Sequence, residues 1–228
     1  LSLAGLSIAG GAPSPSGPGR GTAVVTPRAM LEGSFQAVEQ ANPSYCGPAT
    51  ALSILRYFGA KTSRTADPAT GTNDTLSGDA EKDQQLLAND FWLMTDRHDG
   101  TSWGNGYMPF TLNAWRGSRW YVGSGTPAVD GTLTKDDALA AIRYDTDRGY
   151  PVAENVQYSS ATYYPVGFYP GIAYYHWDVV YGQYNQGGVQ YVRIGQTYHD
   201  KRLPYERSQA IPWDLHWSAI ENRYGIVW

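Results

Sequence analysis

The chain has 228 residues, enough to bury a hydrophobic core without crosslinks, and its one cysteine cannot form an internal disulfide. With 42% hydrophobic, 14% aromatic and 17% charged residues it reads as globular, which excludes fibrous and disordered classes. The formal net charge of −4, without any Lys/Arg block, argues against a nucleic-acid surface, because phosphate binding needs clustered cations.

In chain order, LSLAGLSIAGGA at residues 1–12 reads as the end of a signal-peptide apolar region running into small residues, although the usual basic flank is missing. PSPSGPGRGTAVVTPR at 13–28 is rich in Pro, Gly and Ser and reads as a linker. Residues 1–29 are therefore expected to be a signal remnant plus linker, residues 30–228 the folded domain, and the protein secreted. No run approaches the roughly 18 apolar residues that cross a bilayer, so no membrane association is expected after signal removal.

From Gly47 to Gly59 the signals agree on a helix: Pro48 in the first turn, Leu52, Leu55 and Phe58 on one face, and Gly59 as a stop. Residues 60–79 lack periodicity and read as loop, after which AEKDQQLLANDFWLM predicts a second helix. GTSWGNGYM at 100–108 is a glycine-rich turn region, and PFTLNAW and KDDALAAIRYDTDRG predict two more helices. PVAENVQY, HWDVVYGQY, VQYVRIGQTY and YGIVW then have the β-branched and aromatic content of strands. Helices first and strands second predict an α+β domain, a helical half against a mainly antiparallel half, with a cleft where they meet.

Chemistry gathers at Cys46. A thiol attacks carbonyl carbon only as a thiolate, and a helix N-terminus stabilises that anion through unpaired N–H groups and the helix dipole. A buried, inert cysteine is the competing reading. Gln40, upstream in QANPSYC, can bring an amide donor beside the thiol for a developing oxyanion. Among the histidines, His98 in TDRHDG and His199 in TYHDK occupy polar, turn-like settings, and His216 in DLHWSA reads as a surface or packing residue. His176 is different, since it opens an apolar strand, where a side chain can point into a cleft.

QANPSYCGPAT followed downstream by HWDVVYGQY resembles the papain-like cysteine peptidases, in particular the peptidase family C39-like branch. The resemblance implies a papain-like fold, with Cys46 as nucleophile, His176 as base and acid, and Gln40 completing the oxyanion hole. For the residue that orients the imidazole, it places Gln196 in IGQTY at the amide position of papains. Asp200 is the alternative, and Asp178, two residues along the same strand as His176, is a further one. The C-G-x-C-aromatic signature of papains is absent, and the close C39-like pattern of Asp-Pro after a short strand is not met.

The expected activity is hydrolysis of peptide or amide bonds through a thioester, on a peptide or protein substrate, by a monomer without cofactor. Acyl transfer or transpeptidation on the same fold shares the first half-reaction, and an inactive peptide- or glycan-binding module is the reading from another class. The Tyr-rich run at 158–177 reads as packing of an irregular hairpin in preference to a substrate wall. One Cys and scattered His lack zinc spacing, and the Asp pairs do not form an EF-hand loop, so no metal is expected.

Overall fold

Helix α1, Cys46–Tyr57, is the element around which the others assemble, and residues Cys46 to Leu55 are all buried. A helix buried on every side must satisfy its polar side chains internally. Thr50 Oγ1 donates to the carbonyl of Trp177 at 2.9 Å, and Ser53 Oγ accepts from the N–H of Val38 at 2.8 Å. These bonds fix α1 against the chain segments on either side of it.

The structure, a computed structural model, describes residues 31 and 33–228. The expectations of a signal remnant and linker at 1–29 fall outside the described residues. After α1 come β1 (Thr62–Asp67), β2 (Thr72–Thr75), α2 (Ala80–Ala88), α3 (Thr95–His98), α4 (Tyr107–Arg116), β3 (Gly123–Gly125) and α5 (Lys135–Thr146). The second half holds β4 (Val152–Tyr158), β5 (Tyr174–Gln186), β6 (Val189–Gly195), β7 (Ser208–Pro212), α6 (Trp213–Glu221) and β8 (Gly225–Val227). The protein is thus α+β with antiparallel sheets.

The main sheet runs β3-β8-β4-β5-β6-β7, every neighbouring pair antiparallel. Alternation along its central strands divides two cores. Ala153, Trp177 and Val179 pack with Leu52, Leu55 and Cys46 of α1 and Leu112 of α4. Val152, Val156 and Val180 pack instead with Ile142 of α5 and Trp213, Trp217 and Ile220 of α6. Helices therefore cover both faces of the sheet, where the sequence pattern suggested a separate helical half. β5 and β6 are joined at Gly187-Gly188, both with positive φ (59° and 83°), as a two-residue hairpin of the type that matches strand twist requires.

Several elements depart from the expectations. The segment read as loop at 60–79 holds the β1–β2 hairpin, whose residues are mostly exposed and polar, so no apolar alternation marked it. The helix expected over 80–94 stops at Ala88, because Asn89 turns its Oδ1 onto the N–H groups of Phe91 and Trp92. β7 and α6 went unread, although Trp213, Trp217 and Ile220 stand at helical spacing behind Pro212.

The tip of α1 is closed by Thr101. A Cβ added at Gly47 would lie 1.9 Å from Thr101 Oγ1, which itself bonds Thr95 Oγ1 at 2.6 Å. Gly47→Ala is expected to destabilise the fold by about 1–3 kcal/mol, as overpacking does, measured by urea unfolding; unchanged stability would contradict this packing.

Candidate active site

Cys46 is the first residue of α1, and its N-cap Tyr45 supplies no side-chain cap. The next residues are Gly47 and Pro48, and Pro48 has no N–H, so the N–H groups of Cys46 and Gly47 are the open donors at this helix end. Cys46 and Thr50 stand four apart and share a helix face. Thr50 is bonded to the carbonyl of Trp177, and Trp177 Nε1 donates to the carbonyl of Thr101 at 3.0 Å. These two bonds hold the start of α1 against β5 where His176 stands.

His176 is 4% exposed and Cys46 8% exposed, and the thiol lies close enough to the imidazole to help raise it. Nε2 of the ring lies 3.1 Å from Asp178 Oδ1 and 3.2 Å from Thr197 Oγ1. The Asp178 contact is a charge contact and not an aligned hydrogen bond, since Oδ1 has no hydrogen-bond partner among the described residues. Asp178 is held at its other oxygen by Tyr158, whose hydroxyl donates to Oδ2 at 2.5 Å. Burial works against a charged ring at His176, but the Asp178 carboxylate, with a further contribution from Cys46, outweighs it and raises the imidazole to about 10. Phe168 and Tyr198 flank the ring, with centroids 5.5 and 6.1 Å from it.

The structure brings Cys46, His176 and Asp178 together. Gln196 stands elsewhere in the bonding scheme: its side chain is fully buried and neither amide atom has a hydrogen-bond partner among the described residues. Only its backbone is engaged, the N–H with Arg207 and the carbonyl with Tyr205. Asp200 is chelated by Arg202, with Oδ1 2.9 Å from Nε, which holds its carboxyl down at about 2. The bonds its carboxylate accepts come from Arg202, and none comes from His176 among the described residues. Gln40 lies in the loop entering α1, its N–H bonded to the carbonyl of Thr197 at 2.7 Å. Its Nε2 donates to the carbonyls of Asn42 (2.8 Å) and Pro43 (3.0 Å), which stiffens that loop.

The remaining histidines are dispersed. His98 is exposed, and His199 stacks on Tyr205 with Nδ1 3.6 Å from Glu39. His216, read as a surface or packing residue, is fully buried with Nε2 2.8 Å from both oxygens of Glu154. Sequence reasoning missed Thr197 and Tyr158 as partners of the site and gave Asp178 a lesser place. The available signal was the i, i+2 spacing of His176 and Asp178 on a buried strand. Among the described residues no group of three or more His, Cys, Asp or Glu is arranged to hold a metal ion, and no helix is long and apolar enough to cross a membrane.

A scan against protein-family models finds no family that matches this chain, and no curated protein matches it. The functional reading therefore stands on the residues and their geometry.

Gln196 gives a direct test of which side chain serves His176. Gln196→Met removes an unpaired buried amide at nearly constant volume, so stability is expected to hold or rise by about 1 kcal/mol in urea unfolding, with alkylation of Cys46 unchanged. A marked slowing of alkylation would instead give Gln196 the orienting role.

Proposed function

We propose that the protein is a secreted thiol-dependent hydrolase of papain-like build that cleaves peptide or amide bonds in a peptide or protein substrate. What carries the reading is one observation: Cys46, at the N-terminus of α1, lies close enough to His176 to help raise its imidazole, and that ring lies 3.1 Å from the buried carboxylate of Asp178. The motif QANPSYCGPAT and the strand HWDVVYGQY support it from the sequence side. A monomer provides every group the scheme uses.

In this scheme the sulfur, with its proton already on His176, attacks the substrate carbonyl carbon and the π electrons move to oxygen. The oxyanion faces the N–H of Cys46, a donor fixed by the helix end. Gln40 can join only by releasing one of its loop carbonyls. Collapse breaks the C–N bond, and His176 gives its proton to the departing amine, leaving an acyl thioester. Water then attacks the thioester while His176 takes one of its protons, the acid departs, and the thiolate and imidazolium are restored. Asp178 stabilises the charged ring throughout. The chemistry requires neither metal nor cofactor.

The test is the pH dependence of iodoacetamide alkylation together with hydrolysis of a fluorogenic peptide library. Native Cys46 is expected to label at pH 6 at least about tenfold faster than a free-thiol peptide, since a thiolate and not a thiol reacts. His176→Ala and Asp178→Asn should each lose most of that advantage, and Cys46→Ala should abolish hydrolysis. Native labelling no faster than the free peptide, with no library member cleaved, would leave a binding module.

A further inference from the structure

A second acid–imidazole pair lies directly beside the first. In the β4–β5 register Glu154 is the partner of Asp178, so the two carboxylates project from the same face of the sheet, and both are fully buried. Two ionised carboxylates at that spacing repel strongly in a low-dielectric interior unless each has a cation or a shared proton. Asp178 has His176. Glu154 has His216, reached from α6, with Nε2 2.8 Å from both carboxylate oxygens.

Tyrosines join the two pairs. The Tyr158 hydroxyl spends its single proton on Asp178 Oδ2, so its oxygen remains as an acceptor. The Tyr163 ring meets the Tyr158 ring edge to face, with centroids 5.3 Å apart. Tyr163 Oη in turn lies 2.5 Å from His216 Nδ1. The Tyr163–His216 hydrogen bond and the Tyr158–Asp178 hydrogen bond are thus held side by side by the edge-to-face packing of the two tyrosine rings. Burial pushes the Glu154 carboxyl above its usual range, and the His216 ring beside it works the other way.

We propose that Glu154, His216 and Tyr163 form a positioning relay for the hydrolytic site, aiming the Tyr158 hydroxyl at Asp178 Oδ2 so that Oδ1 is presented to His176. The inference rests on the hydrolase reading of Cys46 and His176 and adds the residues that hold its carboxylate. None of the relay members touches the sulfur; they act through Asp178. The titratable groups facing Asp178 are Glu154 and Tyr158 from β4, His176 from β5, Tyr163 from the β4–β5 connection and Tyr205 from the segment before β7, while His216 from α6 faces Glu154 and Tyr163. Tyr198 faces His176 from the segment after β6.

The experiment compares Cys46 alkylation by iodoacetamide at pH 6 and pH 10 in the native protein, Tyr163→Phe, His216→Gln and Ile220→Val. Tyr163→Phe and His216→Gln are expected to slow alkylation at pH 6 by about threefold or more, the effect of one neutral hydrogen bond. At pH 10, where an ordinary thiol ionises unaided, their rates should match the native one. Ile220→Val loosens the same core without touching the relay and should keep the native ratio of the two rates. Tyr158→Phe combined with Tyr163→Phe should cost no more than the larger single change, because both cut one path. Folded variants with the native ratio would overturn the relay while leaving the hydrolase reading intact. Native labelling at pH 6 no faster than a free-thiol peptide would instead sink the hydrolase reading itself. Should His216→Gln fail to fold, Tyr163→Phe, which removes a single oxygen, carries the same comparison.

Discussion

The structure depends on an imidazole held in a nearly dry interior between a sulfur and a carboxylate. Isolated, His176 would be kept neutral there, because burial disfavours the charged ring. Asp178 reverses that balance, and the reversal requires the carboxylate to be fixed within contact distance on the same strand. Two residues along β5 meet this condition by strand geometry alone, since alternate side chains share a face. The thiol arrives from a different element, so its placement depends on α1 being pinned to β5 through Thr50 and to the following loop through Thr101.

That arrangement explains why polar residues are concentrated in the middle of an otherwise apolar sheet. Buried charges are tolerated when paired, and breaking one member of such a pair leaves the other uncompensated. Asp178 and Glu154, adjacent across β4 and β5, would be mutually destabilising without separate imidazoles, and each has one. The tyrosines between them carry hydroxyls that are held strongly to their protons by burial, so they serve as hydrogen-bond donors and acceptors and not as acids. α6 has a double role in this picture: Trp213, Trp217 and Ile220 fill the second core, and His216 reaches from the same helix to the buried carboxylate.

The site was legible where chemistry and local structure coincide in a few residues. Cys46-Gly47-Pro48 announces a helix start at a thiol, and HWDVVYG announces a buried strand opening on a histidine. What the local pattern does not contain is the lateral register of strands. Glu154 opposite Asp178 and His216 reaching across from α6 are facts of pairing and packing between distant segments, so neither residue stood out in its own neighbourhood. Gln196 illustrates the reverse case. Its place after an aliphatic strand suggested an orienting amide, yet its side chain is enclosed without a partner while Asp178, already on the histidine's own strand, makes the contact. The β1–β2 hairpin was invisible for another reason: a strand pair with two largely solvated, polar faces carries no hydrophobic period.

The charge state of His176 is the point on which all of this turns, and nitrogen-15 chemical shifts of its ring read it directly. At pH 7.5 the account requires both ring nitrogens to be protonated, with the signal of a neutral imidazole emerging only as the pH approaches about 10. A ring already neutral at pH 7.5, with a single protonated nitrogen, would contradict it.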